Sequence, residues 1–572
     1  MTSAPTIRPA PVPRGHAAAV AVVAVLTIGV LIAAVRLARL PWYPASDLAL
    51  AELAVRRVGT SHTPLLGAYS RYGWAHPGPA LWYVLAPWYR LGGERSATLL
   101  AGVFLLDVAS VATTLGVLLR RAGARITIVA GALLIPLLVA IGTNDLLIPW
   151  NARVYVLPLL ALTVLTWSAG LGDGRWTLAA VVVVGGFIAQ AHAGTSLLVG
   201  LCTIWALTGL RHRRDRGAVL GFAALAGALM WAPALLDAAR HGGGNLSTLA
   251  GFSLGGDGTR AGYALAWDRL ADTLSPRAFW LLGQHPTIEL DGTLSPRGGG
   301  AWGLLLLAAG TVIAHRRRAT RVVALGLLAA AFDLACLVSV AQVRPPVFPY
   351  LVGYLHVAGW LTVTAGAAGV LTLLPPTRLD RLLRATTPVV VVAIVAGFVV
   401  VGLRAPTPGT SDAAQIRALL PGSTRGVRGC TAVDVRSVET YAAFGAAQGV
   451  ALQWVRSGRT VTFDPDQTLE YGPLARPAEP GACRVLFTVG SAASYTRARV
   501  GDTVLATYDA LNPRDRRAYA QLRTRLDRLL DAYTRDPRPA MLARIRRAFA
   551  EANRRFPGGG GDPLVVVLRA PS

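Results

Sequence analysis

Eleven apolar runs recur along the first 404 residues of a 572-residue chain, each near the roughly 20 residues that a helix needs to cross a bilayer. They are Ala17–Val35, Ala97–Leu119, Ile126–Gly142, Val154–Gly170, Trp176–Ala191, Thr195–Leu210, Ala218–Leu236, Ala301–Ala314, Val322–Ala341, Tyr350–Leu373 and Pro388–Leu403. In lipid such segments close their backbone hydrogen bonds only as helices. The expected fold is therefore a polytopic α-helical membrane protein with about 11 transmembrane helices. The first run is too long and uninterrupted for a cleaved signal. Ala301–Ala314 is the weakest, short enough to lie at the interface. A hydrophobic fraction of 53%, a charged fraction of 15% and a mean hydropathy of +0.47 fit this class better than a soluble enzyme.

The arginines set the orientation. With the N-terminus in the cytoplasm, four clusters fall on the inner side: Arg120, Arg121 and Arg125; Arg211, Arg213, Arg214 and Arg216; Arg316, Arg317, Arg318 and Arg321; and Arg378, Arg381 and Arg384. That is the asymmetry expected of cytoplasmic loops. The net charge of +26 thus serves topology and indicates no nucleic-acid partner. The same count places four stretches outside: Trp42–Tyr89, Asn144–Arg153, Asp237–Gly300 and Gln342–Pro349. Residues 1–404 form the transmembrane module, with a first outer loop over 41–95 and a long one over 237–300. Residues 405–572 form a C-terminal extracytoplasmic α+β domain, opened by the linker APTPGTSD. Strands are expected at Arg484–Val489, Thr503–Tyr508 and Leu564–Leu568, and helices at Val438–Val455 and Asp515–Tyr533. Cys202 and Cys336 lie in spans as packing residues. Cys430 and Cys483 lie in the outer domain and are positioned to pair there.

The first outer loop concentrates reactive side chains. Asp47 lies just beyond a span, and Ser46-Asp47 before LALAELAV also has the form of a helix N-cap. Glu52, the possible secondary acid, is five residues on and faces elsewhere on a helix. Tyr69, Arg71, Tyr72, Trp74 and His76 follow, and Pro77–Pro79 bends the chain back to apolar sequence. Arg344 breaks the inside pattern of arginines and stands where it could hold a phosphate. Trp150 has the position of an aromatic-belt anchor, whereas Asn151 and His192 are neutral polar groups that need partners at that depth. Asp107 and Asp333 lie near the middle of their spans. Asp464-Pro465-Asp466 has the spacing of a metal–nucleotide motif but is expected outside, away from nucleotide sugars. No Walker loop, CxxC or HExxH occurs.

SDLALAEL…LLGAYSRYGWAHPGPALWY, with IPWNARVYVLPLL, QAHAGT and WAPALLDAARHGGGNL in support, resembles the polytopic GT-C superfamily of glycosyltransferases. That superfamily includes protein O-mannosyltransferases, the aminoarabinose transferase of lipid A and actinobacterial relatives. The resemblance spans about Ala17–Leu403. It implies transfer of a sugar from a polyprenyl-phosphate carrier, with inversion, to an envelope glycan, lipid or protein at the outer face of the plasma membrane. It places the base at Asp47; the charge on a departing lipid phosphate then makes Arg71, His76 and Arg344 the expected groups around it, with Asn151, His192 and Asn245 orienting sugar or acceptor. Many members carry a paired acid where this chain has a single Asp, so a divalent metal is possible but no cofactor is required by the sequence. The alternatives are a lipid or glycan transporter, which would carry internal repeats, and a non-catalytic membrane scaffold.

Overall fold

A computed structural model describes residues 14–255, 258–286, 293–296, 298–375, 378–438, 441–489, 502–536 and 564–569, with scattered positions between 538 and 555. The side chains of Arg378, Arg381 and Arg384 lie outside the described residues. The first sixteen helices are α1 (Arg14–Ala38), α2 (Ser46–Arg57), α3 (Ala80–Leu91), α4 (Thr98–Arg121), α5 (Ala124–Ile141), α6 (Val156–Gly170), α7 (Thr177–Ala191), α8 (Ser196–Leu207), α9 (Arg216–Arg240), α10 (Gly244–Leu254), α11 (Gly262–Thr273), α12 (Phe279–Leu282), α13 (Trp302–Arg316), α14 (Thr320–Ala341), α15 (Leu355–Leu371) and α16 (Arg378–Arg404). A helix stands at each apolar run. Six stretches, Thr98–Arg121, Ala124–Ile141, Ala193–His212, Arg216–Arg240, Thr320–Ala341 and Pro349–Leu371, are long and apolar enough to cross a membrane. Shorter apolar stretches lie in α6, α7 and α13, and within the described parts of α1 and α16 at Val23–Ala38 and Val389–Arg404. The chain is a polytopic helical membrane protein.

The short α13 does not lie alone. A Cβ at Gly310 would sit 2.2 Å from the Gly366 carbonyl oxygen, so only glycine lets α13 and α15 approach this closely, a common device for helix association in lipid.

The arginine loops meet at one end of the bundle. Asp173, between α6 and α7, pairs with Arg121 at 3.3 Å and Arg321 at 2.9 Å. Arg213 donates to the Gly172 carbonyl, and Arg125 to those of Leu374 and Pro375. The four segments expected outside converge at the other end, where they line one cavity.

The C-terminal region departs from the sequence expectation at its start. A helix, α17 (Thr410–Gly426), begins inside the APTPGTSD stretch instead of after a linker. There follow β1 (Val433–Ser437), α18 (Tyr441–Arg456), β2 (Val461–Thr462), α19 (Thr468–Tyr471), β3 (Cys483–Val489), β4 (Thr503–Asp509), α20 (Pro513–Arg535) and β5 (Leu564–Arg569). They build a mixed five-stranded sheet of order β2-β1-β3-β5-β4, with β1 parallel to both β2 and β3. Helix α20 starts where Asn512 accepts from the amides of Arg514 and Asp515, with proline at the first helical position. Cys430 and Cys483 form a disulfide, Cα atoms 5.6 Å apart, tying the approach to β1 to the head of β3.

Helix α2 joins the two parts. Seven consecutive residues, Ala49 to Val55, are buried. Ala51, Ala54 and Val55 enter the transmembrane core, while Ala49, Leu50 and Leu53 enter the core of the C-terminal sheet. Its alanines are small enough for two cores to close on one helix.

Candidate functional site

The first loop turns on a tight hairpin. Tyr69 pairs antiparallel with Ala75, and Ser70 and Trp74 close the ladder at 2.7 Å. The Gly73 amide donates back to Ser70, and Gly73 has φ +78°, a conformation that glycine adopts without strain. Tyr69 therefore stands on one strand, Arg71 and Tyr72 at the tip, and Trp74 and His76 on the return. Asn245 pins this hairpin from α10. Its side chain accepts from the Ala75 amide at 2.8 Å and donates to the Ala75 carbonyl at 2.6 Å. Both ends of the amide are used on backbone, and Asn245 is not among the residues lining the cavity. The orienting role expected for it gives way to a structural one.

The cavity measures about 430 Å³, within the roughly 300–1,000 Å³ range of small-molecule sites. The structure brings Asp47, Tyr69, Arg71, Trp74, His76, Asn151, His192 and Arg344 to its wall. Asp47 is not a cap. The residue at the helix N-cap is Ala45, with no side-chain hydrogen bond. The carboxylate instead accepts from the Tyr69 hydroxyl on Oδ1 at 2.7 Å and from the Trp150 indole on Oδ2 at 3.1 Å. Ser46, immediately before it, has φ +49°. Such strain in a residue with a side chain persists only where its surroundings enforce it, and it concentrates at functional sites. Burial, reinforced by Asp47, raises the Tyr69 hydroxyl above its usual range, which keeps it a donor. Glu52 turns away from the cavity. It is fully buried, accepts from the Tyr89 hydroxyl at 2.8 Å and faces Arg456 of α18 at 3.7 Å. It is not a second acid of this site.

Three guanidinium groups face one carboxylate across the cavity. Arg71, exposed at the hairpin tip, donates to the Pro346 carbonyl at 3.1 Å and lies over the Tyr72 and Phe348 rings, each 4.7 Å away. Arg344 stacks on Phe252 at 3.9 Å, and its Nε is buried without a hydrogen-bond partner. Arg260, which sequence reasoning did not single out, is held by the carbonyls of Gln342, Ser253 and Gly255. All three are fixed by carbonyls, Arg71 and Arg344 by rings as well, and they carry no acidic partner among the described residues, leaving a positive cavity suited to an anion.

The histidines are neutral. His76 Nδ1 accepts from the Ala193 amide at 3.0 Å, so its proton sits on Nε2. Burial, with His192 adding to it, holds His76 well below the usual histidine range. His192 Nε2 faces the Leu351 carbonyl at 3.3 Å and must donate to it. That leaves Nδ1 as a buried acceptor with no partner. Burial brings His192 down to about 4. The Trp74 indole N–H is likewise buried and unpartnered. A ligand that supplies acceptors to Trp74 and Arg344 and a hydroxyl to His192 would complete the set. Asn151 donates to the Ala191 carbonyl at 3.2 Å.

Among the described residues no three His, Cys, Asp or Glu side chains gather as a metal-ligand set. Trp150 departs from the expectation of an aromatic-belt anchor. As a belt anchor it would face lipid, whereas its indole binds the candidate base. Asp107 and Asp333 are buried in α4 and α14, where Thr362 donates to Asp333 at 2.7 Å, and neither lines the cavity.

No family model and no curated protein matches the chain. Among solved structures it is similar to ArnT from Cupriavidus metallidurans in the apo state, with a TM-score of 0.47 and 13% identity over 86% of this chain and 96% of that one. It is similar to the same protein bound to undecaprenyl phosphate, with a TM-score of 0.47 and 14% identity over 85% and 96% of the two chains.

Proposed function

We propose that the chain is a membrane glycosyltransferase of the GT-C type, moving a sugar from a polyprenyl-phosphate carrier to a cell-envelope acceptor at the outer face of the plasma membrane. The observation that carries this reading is Asp47, held through both oxygens by Tyr69 and Trp150 at the wall of a cavity that also presents Arg71, Arg260 and Arg344. An acceptor hydroxyl gives its proton to the Asp47 carboxylate as its oxygen attacks the anomeric carbon. The bond from that carbon to the phosphate oxygen breaks with its electron pair, and the arginines take up the charge on the departing lipid phosphate. His76 and Trp74 add neutral donors, and His192 Nδ1 accepts from a sugar hydroxyl. Attack from the side opposite the leaving group inverts the anomeric centre.

The topology belongs to the same proposal: N-terminus cytoplasmic, C-terminal domain outside, where the Cys430–Cys483 disulfide is at home. The test uses the full chain in nanodiscs with a panel of radiolabelled polyprenyl-phosphoryl pentoses and hexoses and an envelope extract. Label moving from carrier to extract, and lost in Asp47→Asn, is the expected result. No turnover of any donor, or turnover that ignores Asp47, overturns the reading.

A further inference from the structure

Asp47 stands in a wall between two cavities. Tyr69, Trp150 and Asn151 share that wall, since all four residues line both the large cavity and a second one of about 60 Å³. The second cavity lies on the side of Asp47 that faces the C-terminal domain, and Leu469 and Glu470 of α19 close it. Arg57 lines it from α2 beside smaller apolar side chains, Pro64 and Leu66–Ala68 from the first loop, and Trp82 from α3.

Two features make this more than a packing gap. The first is charge. Arg57 and Glu470 line the same small space, yet no hydrogen bond or ion pair joins them among the described residues. Arg57 Nε is buried without a hydrogen-bond partner, and burial alone brings the guanidinium down to about 10 with no acid to offset it. Opposite charges left apart in one cavity keep a donor fork and an acceptor free for something that brings both kinds of group. The second is rigidity. The turn carrying Glu470 is anchored by Tyr471, which is buried, stacks on Phe463 with ring centroids 3.7 Å apart and accepts from Gln448 at 2.8 Å. The Phe463 amide closes the turn on the Leu474 carbonyl at 2.8 Å. The guanidinium of Arg57 lies against Gly472 of the same turn.

A lone anion does not suit the space, because Asp47 and Glu470 would both repel it. A hydroxylated arm suits it. Hydroxyls donate to carboxylates and accept from guanidinium, and Trp82 and Trp150 supply apolar walls. The volume exceeds the roughly 10–15 Å³ that one water needs and falls short of a whole sugar ring. Resting on the transferase reading above, we propose that the leading hydroxyl-bearing arm of a polyol or glycan acceptor enters through this seam. Glu470 and Arg57 grip its flanking hydroxyls and aim one hydroxyl at Asp47. In the step itself, that hydroxyl's proton goes to Asp47, its oxygen bonds to the anomeric carbon, and the carbon–oxygen bond to the lipid phosphate breaks with the electron pair leaving on phosphate. Glu470 is then a specificity-determining residue contributed by the C-terminal domain.

The test compares transfer to octyl glycosides with hydrolysis of the same radiolabelled polyprenyl-phosphoryl sugar, using the full chain. Glu470→Gln should raise the KM for the octyl glycoside about 10–100-fold, as expected for a lost hydrogen bond to a charged group, and lower the ratio of transfer to hydrolysis by a similar factor. Glu470→Asp should recover part of both. Arg57→Met should act in the same direction, with monodisperse elution and an unshifted melting temperature confirming that the seam still folds. If Asp47→Asn stops transfer and hydrolysis while Glu470→Gln leaves the glycoside KM unmoved, this inference alone falls. It falls too if Glu470→Gln slows transfer and hydrolysis equally. If the parent chain turns over no donor, the transferase reading falls and takes this inference with it.

Discussion

Asp47 and Glu52 sit on one helix, and their surroundings could hardly differ more. Asp47 is half-buried at the head of α2, bounded by cavities and held by two neutral donors, Tyr69 and Trp150. Glu52 is fully buried between two cores, with the Tyr89 hydroxyl on Oε1, Arg456 3.7 Å away and Oε2 without a partner. The lesson concerns how a carboxylate is assigned. Residue type makes both acids candidates, and helix register says only that they face different ways. Access to a space that a substrate can enter separates them, and only the fold supplies that.

The largest effect should come from the exposed side of this comparison. Asp47→Asn keeps the size and an acceptor oxygen for Tyr69 or Trp150, so insertion and folding should survive. Loss of a general base typically lowers the rate by about 10²–10⁴-fold, and donor binding should persist. Single-turnover transfer measured beside equilibrium donor binding separates the two. If Glu52→Gln, and not Asp47→Asn, abolished transfer, the roles assigned to the two faces of α2 would be reversed.

Arg344→Ala should come next. The guanidinium is stacked on Phe252 with Nε buried and unpartnered. The lipid phosphate carries charge both before and after the bond breaks, so donor affinity and turnover should fall together. A charged hydrogen bond of about 1.5–3 kcal/mol corresponds to roughly 10–100-fold in each. A fall in turnover with donor affinity intact would move Arg344 from the phosphate to the reacting centre.

Tyr69→Phe tests how Asp47 is held and should cost about tenfold in rate, near the lower end of that same range, because Trp150 still fixes the other oxygen. Trp150→Phe should match it, and the double variant should lose more than the product of the two, since each donor backs up the other on one group. Strict multiplicativity would mean that the two donors act on different things.

Much of this was legible in the sequence because lipid imposes strict rules. Apolar length located the helices, and the one-sided arginines grouped the loops that the structure gathers around a single cavity. The reactive cluster from Asp47 to His76 could be named because polar side chains packed so densely beside a span have few structural uses. What stayed hidden depended on where atoms end up. An indole at a membrane edge has the same sequence signature facing lipid or facing Asp47, so Trp150 passed as an anchor. Asn245 looked like a ligand group because nothing in the sequence shows that both ends of its amide meet the backbone of Ala75. Arg260 lay in a long loop whose course could not be inferred. The double burial of α2 was invisible for a related reason. Its alanines suit either core, and the second core is formed by strands about four hundred residues away.

The smallest effect belongs to Glu52 and appears as a slope. Burial raises its carboxyl above the ordinary value of 4.5, and the opposing contributions of Ser96, Arg456, Tyr89 and Arg56 do not cancel that. The folded state therefore holds the proton to higher pH than the unfolded chain does. Between the unfolded value and the raised folded one, the native protein binds more protons, so this residue's contribution to stability falls as pH rises through that window. It is fully present below about 4.5, opposite in sign to an acid held ionised by a salt bridge. Gln at position 52 mimics the protonated form, keeps an acceptor for Tyr89 and cannot ionise. Glu52→Gln should therefore flatten the decline of the unfolding midpoint from mildly acidic to neutral pH, with little change at the acidic end. Thermal unfolding of both chains across that range measures it. A variant that declines as steeply as the parent would show that Glu52 ionises freely against Arg456, and that the seam between the membrane module and the C-terminal sheet is held by charge. A flattened curve would show that Glu52 keeps its proton in the folded state over that range and braces the seam as a neutral group.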